Sequence, residues 1–341
     1  MKIYVLNTLS IGEDSIELLS RGIDIIGVIG LSNREPGDAI SDFAYQKVFC
    51  DKQKLKFIEI DDYSLNNLAA REKISSIDID VLIVTGWQRL VPEWLINHCQ
   101  MCVIGSHGSP FGITKGRGRS PQNWSLIMGL TSFEISIFKI DKGIDSGVIF
   151  DTKKFNYDEN DDIRTSYFKV CLLTSSMIIN LLKDKNFLSK DFLNQEESEA
   201  EYLPKRTPED GFIDWNRTGK EIGRFVRALT RPYPGARTKI NDTEIIVWKG
   251  QPFKININLE GLKNGQVYKV FNNGDVLVKC ASGLFLITNY SSNIKTVEIK
   301  NSDVFSSFNH SKINKNILNR HNKVYPGLTV SSKLIDYFNK L

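Results

Sequence analysis

Short apolar runs alternate with amphipathic stretches over the first 200 residues of the chain. Residues 2–6, 23–29, 57–60, 81–84 and 102–104 are dense in Ile, Val and Leu and predict buried strands. Residues 15–20 fall inside a helix between the first two, and residues 93–97 begin a short helix that Pro92 can start. Residues 102–104 are fully apolar, and this strand is expected to end at Gly105. From 108 to 120 the chain is Gly-rich and polar, which predicts an irregular loop at the carboxyl end of a buried strand, where open α/β sheets bind ligands. Pro121 then opens a helix through residue 128. Residues 132–140 alternate apolar and polar positions like a strand with one solvated face, and 148–155 form a second extended stretch. They bracket the tight turn Asp141-Lys142-Gly143-Ile144-Asp145-Ser146-Gly147, and a long helix over 161–183 follows.

A polar, acidic stretch at 195–201 precedes a change of character. Beyond it come a helix at 218–229 and short strands at 244–248, 265–271, 275–280 and 284–288, separated by turns such as Asn272-Asn273-Gly274-Asp275. The expected architecture is a Rossmann-like, mostly parallel α/β sheet with helices on both faces over 1–204. An OB-like antiparallel β-barrel with an entry helix follows over 205–300, and 301–341 is a tail of weak periodicity. A length of 341 residues suits two domains.

The composition, 41% hydrophobic and 25% charged, argues against a disordered or fibrous chain. No run approaches the roughly eighteen uninterrupted apolar residues of a membrane span, and the first residues read as a strand rather than a targeting segment, so a cytoplasmic location is expected. The net charge of +4 hides a segregation: residues 1–204 carry 22 basic and 29 acidic side chains (net −7), and 205–341 carry 22 and 11 (net +11). The basic part could face phosphates of a nucleic acid or of a small anionic substrate. Cys50, Cys99, Cys102, Cys171 and Cys280 are odd in number and scattered, and they read as reduced thiols. Cys99 and Cys102, beside His98, have the spacing of a metal or redox pair, but without a second ligand pair they are assigned to the core and no metal is expected.

Two loops place an ionisable side chain beside glycines that admit a ligand to the backbone. His107 lies in Gly105-Ser106-His107-Gly108-Ser109-Pro110, and Asp145 lies in the 141–147 turn. Such a pair can handle protons, the carboxylate holding the imidazole in one tautomer.

These words, with Lys115-Gly116-Arg117-Gly118-Arg119-Ser120-Pro121, resemble the folate-dependent formyltransferase family. Arg206-Thr207-Pro208-Glu209-Asp210-Gly211 through Trp215, and Arg227-Ala228-Leu229 through Ala236, extend the resemblance in order over residues 80–250. It implies 10-formyltetrahydrofolate as donor and a primary amine as acceptor. His107 would stabilise the developing oxyanion and Asp145 would manage the proton leaving nitrogen. It also implies a folate site at Gly86, Trp87, Gln88, Arg89 and Leu90 and at Asp141, Gly143 and Ile144, with the acceptor near Gly105, Ser106, Gly108, Ser109, Pro110, Arg117 and Arg119. One departure stands out: where the family has an Asn two positions before the His, this chain has Gly105. Ser106, Gln122, Asn123 or a water would have to replace that donor.

The 115–121 and 230–234 segments resemble the members that formylate sugars, so the expected acceptor is a UDP- or dTDP-linked amino-deoxysugar of surface-glycan synthesis. The net +11 keeps methionyl-tRNA as the alternative, and a folate-binding module without activity is a third reading. The segment after Arg34-Glu35-Pro36-Gly37 lacks the basic loop of the tRNA enzymes. Arg117 and Arg119 either contact phosphate or sugar, or pin their loop to a carboxylate. The oligomeric state is left open, members of the family often being dimers.

Overall fold

The computed structural model describes residues 1–33, 40, 42–292 and 298–340. The Arg34-Glu35-Pro36-Gly37 segment lies outside the described residues. The chain divides into two compact units, the first made of residues 1–118, 132–156 and 167–200, and the second of 119–131, 157–166 and 201–341.

In the first unit the strands are β1 (Ile3–Asn7), β2 (Ile25–Leu31), β3 (Lys56–Ile60), β4 (Val81–Gly86), β5 (Cys102–Ser109), the two-residue β6 (Arg117–Gly118), β7 (Ser132–Lys139) and β8 (Ile149–Asn156). Its helices are α1 (Ser10–Leu19), α2 (Gln46–Gln53), α3 (Leu68–Ser75) and α4 (Glu93–His98). Seven strands form one sheet in the order β3-β2-β1-β4-β5-β7-β8. Pairing is parallel from β3 through β5 and antiparallel for β7 and β8, so the sheet is mostly parallel as expected. Alternation along the strands divides the core: Ile3 and Val5 join Ile16, Leu19, Met177 and Ile178 on one face, while Tyr4 and Leu6 join Ile74 and Leu95 on the other.

Strand β5 does not stop at Gly105. It continues to Ser109 in antiparallel register with β7, His107 opposite Ser136. Glycine is a weak strand former, but here its missing side chain is what permits the ladder. A Cβ on Gly108 would lie 2.3 Å from Phe133 Cε1, and one on Gly105 would lie 2.8 Å from Ile140 Cδ1. Tertiary packing therefore overrides local propensity at the predicted strand end.

Helix α6 (Ile163–Leu182) is long and apolar enough, by length and composition, to cross a membrane, yet its Met177, Ile178 and Leu182 are buried in the core of the first unit. All five cysteines are free and buried. Cys99 and Cys102 sit in the core as assigned, burial pushing both thiols up to about 12.

In the second unit α5 (Pro121–Met128) and the two-residue β9 (Tyr202–Leu203) precede α7 (Gly219–Leu229), whose Thr218 and Glu221 close a capping box. Strands β10 (Ala236–Ile240), β11 (Thr243–Phe253), β12 (Val267–Val270), β13 (Val276–Cys280) and β14 (Gly283–Ser292) form an antiparallel sheet in the order β10-β11-β14-β13-β12. The tail, whose weak periodicity predicts little, forms α8 (His310–Val324) and α9 (Ser332–Asn339). Phe338 of α9 meets the buried Trp124 edge-on at 5.6 Å, and the Arg206 guanidinium lies 4.6 Å from the same indole.

Asn7, at the end of β1, is fully buried and donates to Gln46 Oε1 (2.7 Å) and Leu9 O (3.0 Å). A Cβ on Gly86 would lie 1.9 Å from Asn7 Oδ1. Gly86→Ala is expected to destabilise the protein by about 1–3 kcal/mol through this collision, measured by urea unfolding.

Candidate active site

The 140–148 turn is held by its own polar groups. Asp141 Oδ1 accepts from Gly143 N–H (2.9 Å) and Ser146 Oγ–H (2.6 Å), and Lys139 N–H donates to Val148 O (2.9 Å). Gly147 closes against Lys139 O, which a Cβ would meet at 1.7 Å. Asp145 adopts a left-handed φ of +51° within this turn.

His107 projects from β5 toward that residue. Its Nδ1 lies 3.4 Å from Asp145 Oδ2, an ion-pair distance longer than a well-formed hydrogen bond, with side chains 11% and 23% exposed. On the other side of the ring, Nε2 is 2.8 Å from Gly116 O. A carbonyl oxygen can only accept, so Nε2 carries a hydrogen; Nδ1 then faces the carboxylate with either a lone pair or a second proton. The Asp145 carboxylate thus stands where it can receive or supply a proton at Nδ1. Gly118 N–H donates to the same Asp145 Oδ2 (3.2 Å), so peptide groups on both sides of Arg117 touch the pair.

Arg117 follows the second of the two readings open to it, a loop pin. Its side chain is fully buried, Nη2 and Nη1 donate to Glu197 Oε1 (2.6 Å) and Oε2 (2.9 Å), and Nη2 also donates to Gln195 Oε1 (3.0 Å). This pairing draws the Glu197 carboxyl below its ordinary range. Gln195 Nε2 in turn donates to the carbonyls of Asp145 and Gly147, both at 2.8 Å. Residues 195–201 read as a polar linker in the sequence, and no local signal marks Gln195 or Glu197 as partners of residues 50 to 80 positions earlier.

The remaining candidates fall into separate settings. Ser109 is buried and accepts from Phe111 N–H (3.0 Å), a local role, while Ser106 and Pro110 are partly buried near it in the chain. Arg119 belongs to the second unit, where its N–H donates to Leu203 O (2.9 Å). There too, Gln122 accepts from Ser166 Oγ–H (2.6 Å) and Asn123 donates to Ala228 O (2.6 Å), so the groups that bind these two candidate donors are their own neighbours. Beside Gly105 the space a side chain would take is filled by Ile140.

The 86–90 segment is organised around Tyr63. Its ring meets Trp87 edge-on at 4.8 Å, its hydroxyl accepts from Gln88 N–H (3.0 Å), and the Arg89 guanidinium lies 4.7 Å from it. Leu90 is 59% exposed, and the buried Trp87 Nε1 has no hydrogen-bond partner among the described residues. Tyr63 is set by Asp62, which accepts from Ser64 N–H and Oγ–H, Asn66 N–H and Asn67 N–H. Partial burial alone would raise the Asp62 carboxyl, but these hydrogen bonds outweigh it and hold the group at about 2.

Residues 2–182 match the family model described as Formyl transferase, and residues 205–303 match Formyl transferase, C-terminal domain. Bifunctional polymyxin resistance protein ArnA of Wigglesworthia glossinidia brevipalpis is 28% identical over 289 residues, 82% of this chain; the chain spans only 41% of that relative. Methionyl-tRNA formyltransferase of Caldanaerobacter subterraneus subsp. tengcongensis is 24% identical over 289 residues, covering 84% of this chain and 91% of the relative. Among solved structures, WlaRD, a sugar 3N-formyl transferase crystallised in the presence of dTDP and 5-N-formyl-THF, superposes with a TM-score of 0.55 at 19% identity, covering 87% of this chain and 99% of that one.

Two expectations follow. Gly105→Asn is expected to cost about 1–3 kcal/mol by overpacking against Ile140, and less in an Ile140→Ala background; urea melts of the double-mutant cycle measure the coupling. Because the folded Asp62 carboxyl titrates below its ordinary value of about 3.9, its contribution to stability is present above that pH and is lost as pH falls through about 2. The stability deficit of Asp62→Asn is therefore expected to shrink over that window.

Proposed function

The chain belongs to the formyl transferase family, and we propose that it moves the formyl group of 10-formyltetrahydrofolate onto the amine of a UDP- or dTDP-linked amino-deoxysugar. The observation that carries the reading is the shielded His107–Asp145 pair, with a backbone carbonyl fixing the far nitrogen of the imidazole.

The folate supplies an activated one-carbon unit at the oxidation level of formate. The residues expected to hold it are suited to a flat heterocycle, since the 86–90 ledge offers the exposed Leu90 and the 141–144 turn offers ordered backbone groups. Attack by an amine nitrogen on the formyl carbon builds negative charge on the formyl oxygen and releases a proton from the amine; collapse of the adduct then breaks the bond from that carbon to the donor nitrogen, which leaves as an N–H of tetrahydrofolate on taking up a proton. His107 would answer the first need by turning its Nε2–H from Gly116 O to the formyl oxygen, and the Asp145 carboxylate would answer the second by drawing off the proton. With Gly105 and Ile140 in place of a side-chain amide, the Ser106 hydroxyl and water remain as additional donors.

The sugar acceptor is supported by the 115–121 and 230–234 words and by the fold shared with a sugar 3N-formyl transferase. Donor and acceptor of this kind are soluble metabolites of the cytoplasm, and the product would serve surface-glycan assembly. The basic balance of residues 205–341 and the methionyl-tRNA formyltransferase relative favour a second reading, an aminoacyl-tRNA acceptor.

His107→Ala and Asp145→Asn are each expected to lower amine formylation by about a hundredfold or more, measured as product formed from 10-formyltetrahydrofolate; unchanged turnover in either removes that residue from the chemistry. dTDP or UDP is expected to raise the melting temperature and tRNA to leave it unchanged, the reverse pattern selecting the tRNA acceptor.

A further inference from the structure

We propose that Arg117, Gln195 and Glu197 are positioning residues that hold His107 and Asp145 in working register, acting through the 116–118 backbone and the 145–147 turn. The proposal rests on the formyl-transfer reading for its kinetic consequence and on geometry alone for its structural one.

The cluster is joined through the backbone to both halves of the pair. The two peptide groups flanking Arg117 are the ones that bind it: Gly116 O takes the His107 Nε2 hydrogen, and Gly118 N–H donates to Asp145 Oδ2. What fixes those peptides is the side chain between them. A fully buried guanidinium is costly to desolvate, and here it is compensated by a two-pronged contact with Glu197 and by the Gln195 amide oxygen. The Gln195 amide then reaches the second half of the pair, its NH2 donating to Asp145 O and Gly147 O. Its orientation is unambiguous, because a flipped amide would aim NH2 at the guanidinium and oxygen at two carbonyls.

The cluster thus ties the carbonyl behind the imidazole to the backbone that carries the carboxylate. If it yields, the His107–Asp145 separation and the hydrogen on Nε2 change together. Thr114 Oγ–H also donates to Gln195 Oε1 (3.1 Å), anchoring the start of the same loop.

Gln195→Glu in the full-length protein isolates the effect. It keeps the length of the side chain and an oxygen for Arg117, but it can no longer donate to Asp145 O and Gly147 O. Three readouts are taken: the ¹⁵N shifts of the His107 ring nitrogens, one of only four histidines in the chain, kcat and KM for formyl transfer, and the melting temperature. The expected result is an altered His107 ring signature and a kcat lower by about tenfold or more, with KM for the folate donor changed by less than about threefold and cooperative unfolding retained. Glu197→Gln, which weakens only the hold on Arg117, is expected to shift the same readouts in the same direction by less, and carries the test if Gln195→Glu does not fold. A wild-type ring signature in the folded variant, whether or not the melting temperature falls, overturns the proposal by reducing the cluster to a loop anchor. If the wild-type protein formylates no amine, the functional reading fails, while the ring-nitrogen readout still decides this one.

Discussion

An imidazole between a backbone carbonyl and a carboxylate can satisfy both neighbours only by carrying hydrogen on both ring nitrogens, or by sharing one with the acid. His107 is held in that position by Gly116 O and Asp145, and much of the first unit can be understood as the means of holding it there. Strand β5 must run on past its apolar stretch to carry His107, and it can do so only because β7 lies antiparallel beside it. The chain leaving β7 must then turn tightly enough to bring Asp145 back, which Asp141 and Gly147 accomplish with local hydrogen bonds and a missing Cβ. Specific packing and polar closure, rather than loop flexibility, set the distance between the two groups.

Most of the architecture was legible because burial imposes a period. Dense apolar runs mark β1 and β4, alternation marks β7, and Pro121 marks the start of α5. The failures have equally physical causes. The continuation of β5 through two glycines depends on Phe133 and Ile140, neither of which is near in sequence. Helices α8 and α9 have few buried positions, Ile317 and Leu334 among them, so little apolar period was available to read.

The same distinction applies within the site. His107 and Asp145 were singled out by their glycine-flanked settings together with the family words around them, and the structure brings the two within 3.4 Å. Gln195 and Glu197 were not, since a glutamine and a glutamate in an acidic stretch look like solvated surface, and their meaning comes only from Arg117, some eighty positions earlier. Arg117 itself was ambiguous between ligand contact and loop pin; its complete burial decides for the pin.

The packing of Ile140 against Gly105 also bears on how such a site could change over generations. A side chain added at 105 costs stability at its first step, because its first carbon meets the Ile140 side chain and forces it aside. A smaller residue at 140 relieves that cost but by itself opens a void. The two positions are thus coupled: either change is cheaper in the presence of the other, so substitutions at 105 and 140 are expected to travel together.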